Sequence, residues 1–292
     1  MDNFKFMHNY KHIDKYRLSF NDLAQRTFNI DFEKWYQLGL WNDRYICYSY
    51  AEGDNIVSNI SVSIMELIIN GQRKSAVQVG TVMTDPNYRG RGLATSLMNI
   101  VLKEYEDKCE FVYLFPNVEV LDFYLKFGFT SLQESILSKK VNIRKENISN
   151  MRKLDISIEE DLSILTKLAS NRLPNSNGFG ADKADHILTW YAVNVFPHNI
   201  YYLEDKEIIV IFDTEDEIIN LYDVISRNEV DLDEIVNQLS DSEIKRVIFH
   251  FTPHSKYIGE QEKTEDLDDL LFIKGNIDDM PEYFRDPITS HA

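Results

Sequence analysis

The sequence of 292 residues is 43% hydrophobic and 27% charged, and its formal net charge at pH 7 is −17. This balance is typical of a globular protein long enough for two domains of ordinary size. The acidic charge excludes an extended nucleic-acid surface, which needs a basic face. No apolar run reaches the ~18–20 residues of a membrane span, and the first twenty residues lack the apolar core of a secretory signal. Because Cys47 and Cys109 lie outside any paired motif, we expect a cytoplasmic protein with reduced thiols and with neither nucleic-acid nor membrane partners.

The charge is divided unequally along the chain. Residues 1–134 carry 14 Lys and Arg against 17 Asp and Glu, whereas residues 135–292 carry 17 against 31. The net charges of −3 and −14 predict anion binding in the first part and attraction of cations to the second. An acidic surface that only keeps the protein soluble is the alternative interpretation.

The first half of the chain predicts one α/β unit. Apolar spacing indicates two helices, and three strands follow, the last two joined by the turn-forming pair Asn70 and Gly71. A glycine-containing loop then leads into further helices and strands. The predicted elements are helices over 14–28 and 32–41, strands over 44–52, 55–70 and 75–84, a helix over 93–107, a strand over 109–116, a helix over 117–127 and an extended run over 128–142.

The second half repeats this order of elements without sequence identity to the first. The predicted elements are helices over 157–173, 184–196 and 230–241, a loop over 174–183, three strands within 199–225, a strand over 246–254, an acidic loop over 260–269 and a last strand over 270–275. The shared order predicts a degenerate copy of the first unit. We therefore expect a first domain over 1–140, a polar connector over 141–156 and a second domain over 157–292.

The stretch TDPNYRGRGLATSL, residues 84–97, lies between a predicted strand and a predicted helix. The start of a helix leaves backbone N–H groups unpaired and binds anions readily, and glycines allow successive N–H groups to point inward. Arg89 and Arg91 add positive charge, so the loop predicts a pyrophosphate site. Thr95 stands where a dinucleotide fingerprint needs its third glycine, and the GK[ST] of a nucleotide-binding P-loop is absent. A glycine-rich helix start with two solvated arginines remains the alternative.

Two motifs in the first half resemble those of the GNAT family of N-acetyltransferases. RGRGLA, residues 89–94, fits the pattern Q/R-x-x-G-x-G/A that marks coenzyme A binding in that family. NVEVLDFYLKFGF, residues 117–129, resembles the second motif, with Val120 in place of the usual Ala. The resemblance covers residues 1 to about 140 and looks closest to the Eis-like branch, whose members carry a further acetyltransferase-like domain. It implies a mixed, mostly antiparallel central sheet in the first domain and a degenerate second domain of GNAT-like α/β fold, without the coenzyme A motifs.

The resemblance also implies acetyl-CoA as co-substrate and a set of residues around it. The loop would hold the pyrophosphate, backbone groups of a strand that separates from its neighbour would bind the pantetheine, and Tyr124 would donate a proton to the departing thiolate. The cofactor-binding residues implied are Val82, Met83, Thr84, Arg89, Gly90, Arg91, Gly92, Leu93, Ala94, Thr95, Asn117 and Tyr124. A helix-face aromatic that only packs on the sheet is the alternative interpretation of Tyr124.

The general base has two candidates. Glu66 is the best-positioned carboxylate of the first domain, although a solvated strand residue is an equal interpretation. Eis-like relatives use a C-terminal carboxylate, which implies the same role for Ala292, against the default of a frayed tail. No metal is expected, because His250 and His254 lie on a predicted strand and the acidic run at 213–217 lacks the glycine of a calcium loop.

The sequence thus predicts an acetyl-CoA-dependent acyltransferase acting on a primary amine of a small molecule or peptide. The acidic second half favours a cationic acceptor such as a polyamine, an aminoglycoside-like compound or a lysine-rich peptide. A coenzyme A-binding sensor or regulatory protein without turnover is the alternative. Whether the chain forms a homo-oligomer is left open.

Overall fold

The structure is a computed structural model that describes residues 4–141, 150–267 and 270–292. Its helices are α1 (Asp14–Phe28), α2 (Glu33–Gln37), α3 (Leu93–Tyr105), α4 (Leu121–Leu125), α5 (Glu159–Ala169), α6 (Asp185–Asn194) and α7 (Leu232–Leu239). Its strands are β1 (Lys5–His8), β2 (Tyr45–Glu52), β3 (Asn55–Ile69), β4 (Gln72–Thr84), β5 (Phe111–Leu114), β6 (Thr130–Gln133), β7 (Ser135–Lys140), β8 (Met151–Lys153), β9 (Phe179–Asp182), β10 (Ile200–Leu203), β11 (Ile208–Glu215), β12 (Ile218–Ile225), β13 (Arg246–Phe249), β14 (Glu260–Lys263) and β15 (Leu270–Lys274). Within these ranges, no helix has both the length and the apolar character needed to cross a membrane.

The first sheet has the strand order β1-β2-β3-β4-β5-β15-β6, and β9 pairs with the far end of β3. Every pairing is antiparallel except β4 with β5, which run parallel because α3 connects them as a crossover. The long hairpin of β3 and β4 turns at Asn70 and Gly71, both at positive φ, as the sequence predicts for a two-residue hairpin turn. The expected mixed, mostly antiparallel sheet is therefore present.

The second sheet has the order β14-β7-β13-β12-β11-β10-β8, and its one parallel pair is β12 with β13. Here α7 supplies the crossover, so the sequence hairpin, helix, parallel strand occurs in both sheets. This repetition of elements is what the two halves of the sequence predict.

The two sheets exchange strands. The predicted last strand of the second half, β15, lies between β5 and β6 of the first sheet, and β9 from the predicted loop over 174–183 extends β3. In return, β7 belongs to the second sheet. Sheet membership therefore does not follow the predicted domain boundaries, which remain a prediction. Residues 142–149 of the predicted connector lie outside the described residues.

The acidic segment 260–269, predicted as a loop, begins with a strand. The four side chains of β14 are exposed and charged or polar, so the segment carries no apolar signal. The ladder that joins it to β7 is formed by backbone groups, which explains why the apolar pattern of the sequence did not reveal it.

Each face of the first sheet is covered by a different pair of helices. Apolar residues of α1 and α2 pack on one face in a core that includes Trp35 and Tyr113. Residues of α3 pack on the opposite face, where α4 contributes Tyr124. These are called the α1 face and the α3 face below.

Candidate active site

The loop between β4 and α3 forms an open cradle. Its cavity of about 280 Å³ is lined by Thr84, Tyr88, Arg89, Gly90, Gly92, Leu93, Ala94 and Thr95. Gly90 and Gly92 have φ of 74° and 76°, a left-handed conformation that a side chain disfavours. A Cβ at Gly90 would meet no atom within 4 Å, so the glycine serves backbone conformation and open access rather than close packing.

The start of α3 points its free N–H groups into this cradle. Gly92 is the N-cap, and no side chain of the described residues caps this end. Arg89 donates from Nε to the carbonyl of Thr84 at 3.2 Å, and Arg91 donates to that of Asn87 at 3.0 Å. Both guanidinium groups are thus held at the rim with further N–H donors to spare, an arrangement suited to an anion.

Beyond the cradle, β4 and β5 separate. Their parallel pairing runs from Ala76 with Phe111 to Gln78 with Tyr113, and no later residues of the two strands pair within the described chain. On its other side β4 stays paired with β3 as far as Thr84. The opening beyond Gln78 and Tyr113, called the strand gap below, leaves the edge of β4 from Val79 to Thr84 without a strand partner.

A bulge in β4 lies directly at the strand gap. One residue of β3 lies between Asn59 and Ser61, whereas two residues of β4 lie between their partners Met83 and Gly80. Within the bulge, Thr81 has φ of 47°, an unusual conformation for a β-branched residue.

A buried polar network holds this bulge in place. The amide nitrogen of Asn59 donates to the carbonyl of Thr81 at 2.9 Å, and the Thr81 hydroxyl lies 2.7 Å from the Tyr45 hydroxyl. Ser49 donates to Asn59 in turn. Such fixed partners can maintain a strained backbone conformation at a site.

Tyr124 lies on the α3 face near the strand gap. Its ring packs edge to face against Phe129 and Phe272, with centroids 6.3 Å and 6.2 Å away. Phe272 belongs to β15, which pairs with β5, so the phenol lies on the β5 side. Burial raises the pKa of Tyr124 to about 12.

The C-terminal tail enters the strand gap from the α1 face. The N–H of Ala292 donates to Oε1 of Gln78, and a Cβ at Gly80 would lie 2.5 Å from the carbonyl carbon and oxygen of Ala292. The ring of His291 stacks on Phe115 just beyond β5, with centroids 3.7 Å apart. The tail therefore touches β4 and the residue that follows β5.

Buried hydrogen bonds anchor this tail to the second sheet. The hydroxyl of Thr289 donates to Asp223 at 2.6 Å, and Arg172 donates to both oxygens of the same carboxylate at 2.6 Å. Ser290 donates to Asp286 at 3.1 Å. Thr289 and Ser290 are each 2% exposed, so the tail is packed into the protein.

Glu66 lies away from the strand gap. It is five residues along β3 from Ser61, the partner of Gly80, which corresponds to about 17 Å of strand. Its carboxylate forms ion pairs with Lys183 and Arg73. The structure thus brings Ala292, but not Glu66, to the gap.

The other predicted residues surround the cradle and the gap. Val82 packs toward the α3 face and Met83 toward the α1 face, as alternate residues of a strand do. Asn117 is exposed after β5, and its side-chain oxygen Oδ1 accepts the N–H of Glu119 at 2.9 Å. In the part of the chain that the structure describes, no three His, Cys, Asp or Glu side chains group as metal ligands.

Residues 8–132 match the family model described as an acetyltransferase (GNAT) domain. This chain contains a GNAT acetyltransferase domain. The match includes both motifs, at 89–94 and 117–129, on which the predicted resemblance rests, and that prediction is confirmed. No curated protein sequence matches this one.

The similarity of this chain to solved structures extends beyond its GNAT domain. A GCN5-related N-acetyltransferase from Kribbella flavida is 15% identical with a TM-score of 0.57, and the alignment covers 93% of this chain and 71% of that one. Eis1 from Mycobacterium abscessus is 10% identical with a TM-score of 0.58, covering 93% and 73%. A probable N-acyltransferase of unknown function from Enterococcus faecalis V583 is 12% identical with a TM-score of 0.60, covering 93% and 71%. At these identities the likeness concerns the fold, and it confirms the predicted fold class.

Several residues at the gap and in the tail were not identified from the sequence. Gln78 and Thr81 lie inside a strand whose pattern signals only burial, and Asp286 lies in a C-terminal segment without periodicity. The stretch ITSHA at 288–292 predicts a role for Ala292, but it gives no indication that Asp286 and His291 form a pair.

Proposed function

We propose that this chain binds acetyl-CoA and transfers its acetyl group to a primary amine of a cationic acceptor. The observation that carries the proposal is the strand gap with Tyr124 on the α3 face and Ala292 on the α1 face. A gap between parted strands connects the two faces of the sheet. A proton donor on one side and a proton acceptor on the other suit a reaction between two substrates that enter from opposite faces.

The cradle fits the pyrophosphate of coenzyme A. Uncapped N–H groups from Gly92 to Thr95 offer hydrogen bonds to anionic oxygens, and Arg89 and Arg91 offer charge-assisted ones. The unpaired edge of β4 at Val82, Met83 and Thr84 offers backbone groups to the amide-containing pantetheine arm, with Asn117 nearby. When bound, acetyl-CoA supplies the acetyl group as a thioester.

Tyr124 is the proposed proton donor to the departing thiolate. Since burial raises the pKa of this phenol to about 12, it keeps its proton at neutral pH and has one to give. A thiolate released into the same buried surroundings also loses hydration, which raises its own proton affinity from the reference pKa of ~8.5. Because both groups are buried, the difference between the pKa of the phenol and that of the thiol stays limited.

Ala292 is the proposed proton acceptor, in preference to Glu66. An amine with a reference pKa of ~10.4 is almost entirely an ammonium at pH 7, and releasing its proton costs about 4–5 kcal/mol. A carboxylate at the gap can attract the ammonium and accept that proton. The Ala292 backbone contacts Gly80 at the gap, whereas Glu66 is ion-paired elsewhere.

The acceptor class follows from charge. Residues 135–292 carry a net charge of −14, and this half of the chain contributes the segments that lead to the α1 side of the gap. Such a field attracts polyamines, aminoglycosides and lysine-rich peptides over neutral amines. A coenzyme A sensor without turnover would need neither Tyr124 nor a carboxylate opposite it, so the presence of both favours transfer.

The test is release of free coenzyme A from acetyl-CoA with polyamines, aminoglycosides, amino acids and lysine peptides as acceptors. We expect acceptor-dependent release, strongest with multiply charged amines. Tyr124→Phe should lower kcat about 100-fold or more and leave the dissociation constant of acetyl-CoA, measured by calorimetry, unchanged.

Three outcomes would contradict the proposal. Unchanged turnover in Tyr124→Phe would refute the proton-donor role. Binding of acetyl-CoA without release by any amine would favour the sensor. Absence of acetyl-CoA binding would refute the cradle assignment itself.

A further inference from the structure

The tail carries a buried carboxylate and a histidine in contact with it. Asp286 is fully buried, and its Oδ2 lies 3.4 Å from Nε2 of His291. Both Oδ1 of Asp286 and Nε2 of His291 are buried without a hydrogen-bond partner among the described residues. The His291 side chain is nevertheless 15% exposed through its other atoms. The imidazole therefore connects a buried carboxylate with a surface that water reaches.

The charged neighbours of this pair include Arg285 and Glu134, and the charge of Arg285 acts on both Asp286 and His291. Arg285 lies 3.3 Å from a Glu134 oxygen, and the N–H of Asp286 donates to the other oxygen of Glu134 at 2.6 Å. Two phenols, those of Tyr113 on β5 and Tyr191 on α6, are further titratable neighbours, and burial raises the pKa of each. At neutral pH these phenols keep their protons and add no charge beside Asp286 and His291.

One turnover of the proposed transfer removes two protons from the ammonium nitrogen. One of them replaces the proton that Tyr124 gives to the sulfur, and the other must leave the interior. We propose that Asp286 and His291 act together as a proton relay, which receives that second proton from the Ala292 carboxylate and releases it to solvent.

In this relay an N–H bond of the ammonium breaks and an O–H bond forms on Ala292. That bond breaks in turn, and the proton is then shared between His291 and Oδ2 of Asp286. No oxidant or further co-reactant is involved. The inference rests on the proposed function, and Asp286 acts through Ala292 rather than on substrate.

The ionisation of the pair agrees with this role. Burial raises the pKa of Asp286 to about 7, partly opposed by Ser290 and Arg285, and burial lowers the pKa of His291 to about 3. The pair thus favours neutral forms and exchanges a proton near neutral pH. It can accept a proton only after Asp286 has lost its own, so turnover should rise with pH through about 7.

The test combines spectroscopy of the ligand-free protein with a pH profile. Infrared difference spectra of the wild type against Asp286→Asn, from about pH 5 to about pH 9, should show a protonated-carboxyl band that disappears with a midpoint near 7. With an acceptor from the panel, kcat of the wild type should rise across the same range. In Asp286→Asn the rise should be absent. At the alkaline end, kcat of this variant should be lower than that of the wild type by about tenfold or more.

Thr289→Val is the matched control, because it removes the hydrogen bond to Asp223 in the same tail and leaves the pair intact. We expect it to lower turnover equally at every pH. His291→Gln is the second variant should Asp286→Asn fail to fold, and it should also abolish the pH-dependent rise.

Each outcome of these measurements either supports or overturns the relay. A missing infrared titration, or a pH profile in Asp286→Asn or His291→Gln that matches the wild type, overturns the relay. An intact infrared titration in a protein that transfers acetyl to no amine overturns the proposed function, and the relay role with it. An infrared titration together with loss of the rise in these variants, but not in Thr289→Val, supports the relay.

Discussion

Replacing Gly80 with alanine should expel the tail from the strand gap. Gly80 does not have a positive φ, so β4 itself can accept an alanine there. The added Cβ, however, would lie 2.5 Å from both the carbonyl carbon and the carbonyl oxygen of Ala292 and 3.1 Å from its Cβ. Because the nearest atoms are backbone, no side-chain rotation can relieve the clash.

The size of the effect follows from these distances. An ordinary contact of 3.4 Å requires Ala292 to retreat by at least about 0.9 Å from its 2.5 Å position, and expulsion of the tail exceeds this minimum. A displacement of ~1 Å in a catalytic group can lower the rate about 100-fold. We therefore expect kcat to fall by about that factor, while the dissociation constant of acetyl-CoA, which depends on the cradle, stays the same.

The assay measures acetyl transfer and the accessibility of the tail to carboxypeptidase. Gly180→Ala is the matched control, since Gly180 lies in β9 of the same sheet, also without a positive φ, and its added Cβ would meet its nearest atom at 3.9 Å. The control should keep wild-type turnover and tail protection, whereas Gly80→Ala should lose both. Wild-type turnover in Gly80→Ala, together with a tail that has become accessible, would refute the role of Ala292 as proton acceptor.

Three further outcomes follow from the same geometry. Gly92→Asp should weaken acetyl-CoA binding at least about 100-fold in calorimetry, and Gly92→Asn, which has the same shape and backbone strain without the charge, should weaken it far less. One glycine added after Ala292 moves the carboxylate by ~3.5 Å and should reduce kcat with little change in acetyl-CoA affinity; unchanged kcat would argue against a carboxylate at that position. Burial raises the pKa of Asp223, but the charge of Arg172 and its hydrogen bonds outweigh this effect and hold the pKa below its usual range. The pair therefore stabilises the fold above about pH 4, and this contribution is lost as the pH falls. Arg172→Met should therefore cost about 3–5 kcal/mol in urea unfolding at neutral pH, with a deficit that shrinks toward acidic pH as the unpaired carboxyl becomes neutral.

The features that the sequence predicted are those with local causes. The cradle follows from Gly90 and Gly92 at the start of an amphipathic helix, and the hairpin follows from Asn70 and Gly71. In both cases a few consecutive residues determine the backbone conformation, so a short window contains the information. Tyr124 could be singled out because its motif surrounds it.

The features that the sequence did not reveal depend on distant partners. The insertion of β15 between β5 and β6 joins residues more than a hundred positions apart. Because the strands are joined by backbone hydrogen bonds, the side-chain pattern of β15 does not indicate which strands it pairs with. The left-handed conformation of Thr81 contradicts its own preference and is maintained by Asn59 and Tyr45. Local propensity cannot predict a conformation that tertiary contacts impose.

The position of β15 also has a consequence for how this protein folds during synthesis. β5 and β6 leave the ribosome early, yet they do not pair with each other, and the strand that joins them begins at Leu270. At ~5–20 residues per second, translation takes roughly 7–27 s to proceed from the end of β6 to that strand. Through this interval the edges of β5 and β6 stay open to wrong partners, so a chaperone that covers exposed strand edges should raise the yield of this protein more than that of a GNAT domain whose strands are contiguous.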